Sequence, residues 1–296
     1  MTLNIATDRK ANVVGTFWMI AAVAVFAIED ALLKIASASL PVGQILIVFG
    51  FGGAAVFACI IRLKGDPLFT KDVASKPMQV RVISEVIGRL FYTLAIVFTP
   101  LSAVTVILQA APLVVVAGAS FVFGEKVGWR RWSAILIGLL GVIIIVQPGT
   151  NQFSMLSVLA ILGMIGFAGR DLASRAAPSS LSTSILGLYG FLSFVIAGAL
   201  YTFWEGYRFI FPDAFILICL LRATAAGVTA YSCLMKAMRA GEVSAVTPFR
   251  YSRLLFGITL GVMIFDEELN ATTVLGSVLI VFSGLFILWR GKALAN

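Results

Sequence analysis

The chain has 296 residues, of which 60% are hydrophobic and only 12% charged, and its mean hydropathy is +1.03. A soluble domain is about 25% charged, so a water-soluble fold is excluded and one polytopic membrane body is expected. Histidine is absent and the three cysteines, Cys59, Cys219 and Cys233, form no CxxC. This removes His-based triads and most zinc sites, so neither an enzyme nor a bound cofactor or metal is expected, and the cysteines read as buried membrane residues.

A helix needs about 20 apolar residues to cross a bilayer. Ten stretches come close to or exceed that length: 14–34, 42–61, 82–99, 103–123, 132–148, 155–176, 181–204, 213–237, 243–265 and 271–289. They are too continuous for barrel strands, which alternate over about ten residues. Arg9 and Lys10 precede the first stretch as in a signal peptide, but its length and the nine spans that follow predict an uncleaved first helix. Fifteen basic residues fall at one end of the bundle: Arg9, Lys10, Arg62, Lys64, Lys71, Lys76, Arg81, Lys126, Arg130, Arg131, Arg175, Lys236, Arg239, Arg290 and Lys292. Only Lys34 and Arg208 fall at the other end. The positive-inside rule therefore places both termini in the cytoplasm, and the net charge of +8 orients the protein rather than binding nucleic acid. Trp129, Trp132, Trp204 and Trp289 stand at span ends as interfacial anchors.

The chain also repeats itself. FAIEDALLKIA at 26–36 matches FAGRDLASRAA at 167–177, and LSAVTVI at 101–107 matches VSAVTPF at 243–249. Glu125 is followed by Ser133 and Gly141, and Glu268 at the same spacings by Gly276 and Gly284. Residues 1–150 and 151–296 thus form two units of five spans each. Five is odd, so the second unit enters the membrane from the opposite side. The expected fold is an all-α membrane protein with two inverted-topology repeats around a central cavity, as in secondary transporters.

Charges within spans are costly, about 2.5–3.5 kcal/mol each at a helix centre on insertion scales, and should face a cavity or a partner. They are Glu29 and Asp30 in span one, Glu85 and Arg89 in span three, Arg170 and Asp171 in span six, Arg222 in span eight, and Arg250 and Arg253 in span nine. Pseudo-symmetry then makes spans 1, 3, 4, 6, 8 and 9 cavity-lining, with Gln109 on span four, and leaves 2, 5, 7 and 10 peripheral. Four-residue spacings allow pairs within single helices: Glu85 with Arg89, Asp171 with Arg175, and Asp30 with Lys34. Arg89, Arg222 and Arg253 lie nearest the midplane and are candidates for a substrate carboxylate. Glu29, Asp30, Glu85 and Asp171 are candidates for an ammonium group, for gating or for coupling. Arg250 reads as structural. Tyr92, Tyr231 and Tyr251 suit an apolar or aromatic substrate. Pro112 and Pro248 occupy the fourth span of each half and predict kinks there. Gly257 and Gly261, and the Gly50, Gly52 and Gly53 cluster, read as close-packing sites.

The segments SAVTVILQAAPLVVVAGASFVFGEKVGWRRWSAILIGLLGVIII at 102–145 and SAVTPFRYSRLLFGITLGVMIFDEELNATTVLGSVLIVFSGLFIL at 244–288 resemble the drug/metabolite transporter superfamily, EamA type. Within it the chain is similar to bacterial exporters of amino acids and related metabolites, including aromatic amino acid exporters of the YddG kind. The resemblance implies a basket of ten helices in the inner membrane, a central substrate cavity and export from the cell. Glu125 and Glu268 match the family's end-of-span glutamates and are read as structural. The expected activity is export of small zwitterionic metabolites, amino acids foremost, by alternating access. Proton antiport requires a carboxylate titrating near neutral pH, for which Glu85 and Asp171 are candidates; facilitated diffusion requires none. The alternative is multidrug efflux or flipping of a lipid-linked substrate, against which the midplane arginines count.

Overall fold

A computed structural model describes residues 5–124, 128–147, 154–178, 180–240 and 246–293. Its helices are α1 (Ile5–Ala36), α2 (Val42–Leu63), α3 (Lys76–Phe98), α4 (Leu101–Leu108), α5 (Ala111–Phe123), α6 (Trp129–Val146), α7 (Ser157–Ala176), α8 (Thr183–Glu205), α9 (Ala214–Ala240), α10 (Arg253–Phe265) and α11 (Ala271–Ala293). Each of the ten expected spans is helical, and six described helices are long and apolar enough on composition alone to cross a membrane. Two spans are interrupted. The fourth breaks at Gln109 and Ala110, just before Pro112, into α4 and α5. The ninth enters α10 through a 3-10 turn, Thr247–Ser252, which contains Pro248. Proline supplies no N–H to the preceding turn and crowds its carbonyl, so each helix is broken at its proline.

Local chemistry sets the other ends. Pro77 opens α3, and the Ser182 side chain accepts the Ile185 N–H at the start of α8. Gly206 ends α8 with φ 72°, a left-handed conformation that a side chain would strain.

The helix pairings display the repeat. Helix α1 packs along α9, and α3 packs along α7. Exchanging the two halves turns one pairing into the other. The pairs α2 with α8 and α6 with α11 map onto themselves. The halves are thus related by a pseudo-two-fold axis, and with five spans per half that axis lies in the membrane plane. Small residues let the crossings close: Gly88 meets the backbone of Gly166 between α3 and α7, and Gly141 meets Gly276 between α6 and α11. Gly257 makes room for Thr105 of α4, and Gly50 for the α8 backbone at Phe191. Cys219 and Cys233 are buried, but Cys59 is exposed on the outside of α2, contrary to expectation.

Contacts between loops separate the two ends of the bundle. Ser180 bonds Asp72, tying the loop after α7 to the loop before α3 at the end that carries the basic loops. At the opposite end Gln44 holds the loop before α9 through both its amide groups, donating to the Ile210 carbonyl (2.6 Å) and accepting its N–H (2.8 Å).

Candidate functional site

The in-span charges assemble into two clusters. The deeper one joins α1, α3 and α10. Arg89 Nη1 donates to Glu29 Oε1 at 3.1 Å. Its guanidinium lies 3.9 Å from the ring centre of Phe194 and 5.6 Å from that of Phe49. Arg253 Nη2 donates to Asp30 Oδ2 at 2.5 Å and to the Tyr92 hydroxyl at 3.2 Å, and Tyr92 donates to the same Asp30 oxygen at 2.8 Å. Glu29 and Asp30 are each 1% exposed and Arg89 7%, so the carboxylates of this cluster are buried, while the Arg253 side chain keeps 14% of its exposure. Burial of this kind demands a partner for every charge, and two arginines here face two carboxylates.

The second cluster joins α3 and α7 nearer the end with the basic loops. Arg170 Nη1 donates to Glu85 Oε1 at 3.1 Å, and its Nε and Nη2 reach Asp171 Oδ1 at 2.9 and 2.8 Å. Arg81 Nη2 lies 3.7 Å from Glu85 Oε2, and Arg81 Nε donates to Ser174 Oγ at 2.9 Å. Tyr231 packs edge-on against Phe57, with Arg81, Glu85, Arg170 and Asp171 as its charged neighbours. Here the side chains of Arg170 and Asp171 keep 25% and 30% of their exposure.

A third arrangement closes the opposite end. Both oxygens of Glu267 accept backbone N–H groups at the start of α4: Leu101 N at 2.5 Å and Ser102 N at 2.9 Å. Lys34 Nζ reaches the same carboxylate at 3.3 Å and the Thr99 carbonyl at 2.8 Å. A carboxylate on the free N–H groups of a helix start is favoured by hydrogen bonding and by the helix dipole together. Through it α1, α4 and the end of α10 are joined.

Several expectations need correction. None of the three proposed pairs within a helix forms. Glu85 turns to Arg170 and Arg81, Arg89 to Glu29, Asp30 to Arg253, Lys34 to Glu267 and Asp171 to Arg170. Glu85 and Arg89 project towards different neighbouring helices, so four-residue spacing does not bring their ends together. Arg222 is exposed on the outward face of α9, beside Ile218 and Leu221, and belongs to neither cluster. It stands five residues before Gly227, which meets Phe49 of α2 and Glu29 of α1, as the exposed Ile83 stands five before Gly88, which meets α7. Tyr251 is buried against Gly284 of α11 and belongs to neither cluster. Gln109 contacts no in-span charge; its Nε2 donates to the Arg250 carbonyl at 2.9 Å and so links the two broken spans. Glu268 is exposed, and the capping role falls to Glu267; Glu125 lies outside the described residues. Spans two and seven are not peripheral, because Phe49 and Phe194 enclose Arg89. Sequence reasoning missed both rings, which look like ordinary apolar positions. It also placed Arg81 in a loop, although Arg81 precedes Glu85 by one helical turn on the same face.

Comparison with known proteins agrees with this architecture. A model of the EamA-like transporter family matches twice, at residues 13–147 and 155–289. The chain belongs to the EamA-like transporter family. It is therefore a multi-span membrane transporter of the drug/metabolite transporter superfamily, not an enzyme, and carries a small-molecule substrate. Among its relatives is an S-adenosylmethionine uptake transporter of Rickettsia prowazekii (strain Madrid E), 26% identical over 69% of each chain. A riboflavin transporter of Vibrio cholerae is 25% identical over 94% of each chain. The pseudopaline exporter CntI of Pseudomonas aeruginosa is 26% identical, covering 86% of this chain and 89% of its own length. A solved crystal structure, 18% identical, superposes with a TM-score of 0.61 over 94% of this EamA-like chain and 97% of the other, which shows a shared fold.

Proposed function

We propose that this transporter exports small zwitterionic metabolites, amino acids foremost, across the inner membrane by alternating access, with both termini in the cytoplasm. Residues 1–150 and 151–296 are the two units that rock against each other. The observation that carries this reading is the pattern of ion pairs across the halves. Asp30–Arg253 and Glu85–Arg170 each join a first-half carboxylate to a second-half arginine. Rocking has to part these pairs, and a parted pair in a dry interior is costly. A substrate bearing both an ammonium and a carboxylate supplies a replacement for each partner. A lipophilic cation can replace only the arginine of each pair, leaves the freed guanidinium unmatched and is repelled by Arg89 and Arg253, so multidrug efflux fits less well. S-adenosylmethionine, which one relative takes up, itself carries an α-amino acid group. The basic loops support the cytoplasmic placement of the termini. Glu85 and Asp171 remain the carboxylates proposed for proton coupling.

The test is purified protein in liposomes loaded with a mixed amino-acid pool, with efflux of each species followed with and without a pH gradient. Selective protein-dependent efflux is the expected result, and its response to the gradient decides coupling. Folded protein that releases no amino acid, but does release lipophilic dyes, overturns the proposal.

A further inference from the structure

Among the described residues one interior arginine is left over. Arg81, Arg89, Arg170 and Arg253 each have a carboxylate within 4 Å. Among the described residues the Arg250 guanidinium has none, and no hydrogen bond from it is formed. The groups that act on it electrostatically are Asp171 and Arg170 on α7 and Arg253 and Tyr251 on its own span. Its backbone is fixed, since its carbonyl takes the Gln109 amide bond, while its side chain is only half-buried.

Charge arithmetic shows why this matters. Among the described residues Arg81, Arg170, Glu85 and Asp171 cancel, and Arg250 adds one positive charge beside the second cluster. An unmatched cation within a span is costly and favours entry of an anionic group. Asp171 meanwhile has one committed oxygen. Arg170 occupies Oδ1 twice; among the described residues nothing bonds Oδ2, and the side chain keeps 30% of its exposure. The nearby carboxylate disfavours a bare anion and favours an anion that brings its own cation. Tyr231, half-buried beside Asp171 and braced by Phe57, gives the corner an aromatic wall. The carboxylates of the deeper cluster offer no such opening, because Glu29 and Asp30 are each 1% exposed.

The geometry points to Arg250 and Asp171 as the first docking pair of the substrate, Arg250 receiving the carboxylate and Asp171 the ammonium group of an α-amino acid. The substrate reaches them from the end of the bundle that carries the basic loops. This inference rests on the amino-acid reading and deepens it by naming the residues that recognise the zwitterion.

Phenylalanine is the probe, with phenethylamine, which lacks the carboxylate, and N-acetylphenylalanine, which lacks the ammonium, as competitors. In proteoliposomes Arg250→Ala raises the KM for phenylalanine about 10- to 100-fold, the loss of one charge-assisted hydrogen bond, and leaves phenethylamine inhibition within about twofold. Arg250→Lys recovers part of the loss. Asp171→Asn raises the KM for phenylalanine similarly and spares inhibition by N-acetylphenylalanine. Thermal unfolding of the purified variants provides a second readout. Each keeps its ligand-free transition and loses the upward shift that phenylalanine produces in the wild type. The inference is overturned if Arg250→Ala keeps the wild-type KM and shift, or weakens phenylalanine and phenethylamine alike. Wild-type protein that neither moves nor binds any amino acid refutes the substrate reading itself, before either variant is made.

Discussion

Replacing Glu267 tests whether the carboxylate at the start of α4 holds the end of the bundle that faces away from the basic loops. Two backbone N–H groups and Lys34 converge on it, and its side chain is only 7% exposed. Glu267→Ala leaves Leu101 N and Ser102 N without an acceptor. Loss of a helix-start acceptor alone costs about 0.5–2 kcal/mol. Parting a buried pair costs about 3–5 kcal/mol when the surviving charge has no other contact. Lys34 keeps the Thr99 carbonyl and is 15% exposed, so the lower part of that range applies. The sum for Glu267→Ala is about 3.5–5 kcal/mol. Glu267→Gln retains one carbonyl oxygen for one of the two N–H groups and costs about 1–3 kcal/mol. Glu268, one residue on and exposed, is the control: Glu268→Gln stays within about 0.5 kcal/mol. Equilibrium unfolding in detergent, with all three variants measured together, gives the ranking Ala, Gln, control. A loss for Glu268→Gln equal to or larger than that for Glu267→Gln refutes the assignment of the capping role to Glu267.

Arg222→Ala leaves the transport rate within about twofold of wild type, because the side chain stands on the outward face of α9; a loss above tenfold in the liposome efflux assay contradicts that placement. Glu29→Gln and Arg89→Met each destabilise the fold by about 3–5 kcal/mol, since each strands a buried partner. Their combination recovers much of this, and a double-mutant cycle in unfolding free energy with no coupling contradicts the pair. Gly166→Val places a side chain against the Gly88 backbone and parts α3 from α7. Folded yield after detergent extraction falls sharply, and a wild-type yield with wild-type transport contradicts the close crossing.

The spans, the repeat and the two prolines were legible because each rests on a pattern internal to the chain. Apolar length needs only the bilayer thickness, and two copies of one motif need only comparison with each other. Pro112 and Pro248 act on their own helices, so the breaks in spans four and nine follow from local chemistry. Partners were not legible. Spacing along one helix brought Glu85 and Arg89 together, but it carries no information about which neighbours stand opposite. Glu85 instead meets Arg170 at 85 positions' remove, and Arg89 meets Glu29 at 60. Arg222 was misplaced for a related reason: depth in a span can be counted, but the face a residue presents depends on how α9 turns against α1 and α2. Glu267 and Glu268 show the finest limit. The repeat marks Glu268 by its spacing to Gly276 and Gly284, whereas the carboxylate that reaches α4 is its neighbour, because a step of one residue past the end of α10 changes the side chain's direction.

The two-fold symmetry of the helices is not matched by their charges. Exchange of the halves carries α1 onto α7, and with it Asp30 onto Asp171 in the repeated segments 26–36 and 167–177. Asp30 is sealed and held by an arginine and a tyrosine from other spans, while Asp171 is bonded by the preceding residue and keeps 30% of its exposure. The Glu267 and Lys34 contacts join helices at one end, and the partly open charges lie towards the other. One scaffold thus presents equivalent carboxylates in unequal surroundings. Under the alternating-access proposal such a scaffold takes a second arrangement, in which the roles of the two ends are exchanged. The helix crossings at Gly88–Gly166 and Gly141–Gly276 bring backbone against backbone and carry no charge. The charged contacts need to change. The energetic difference between the two arrangements therefore lies chiefly in a handful of ion pairs, which is the part of the molecule that a charged substrate can influence.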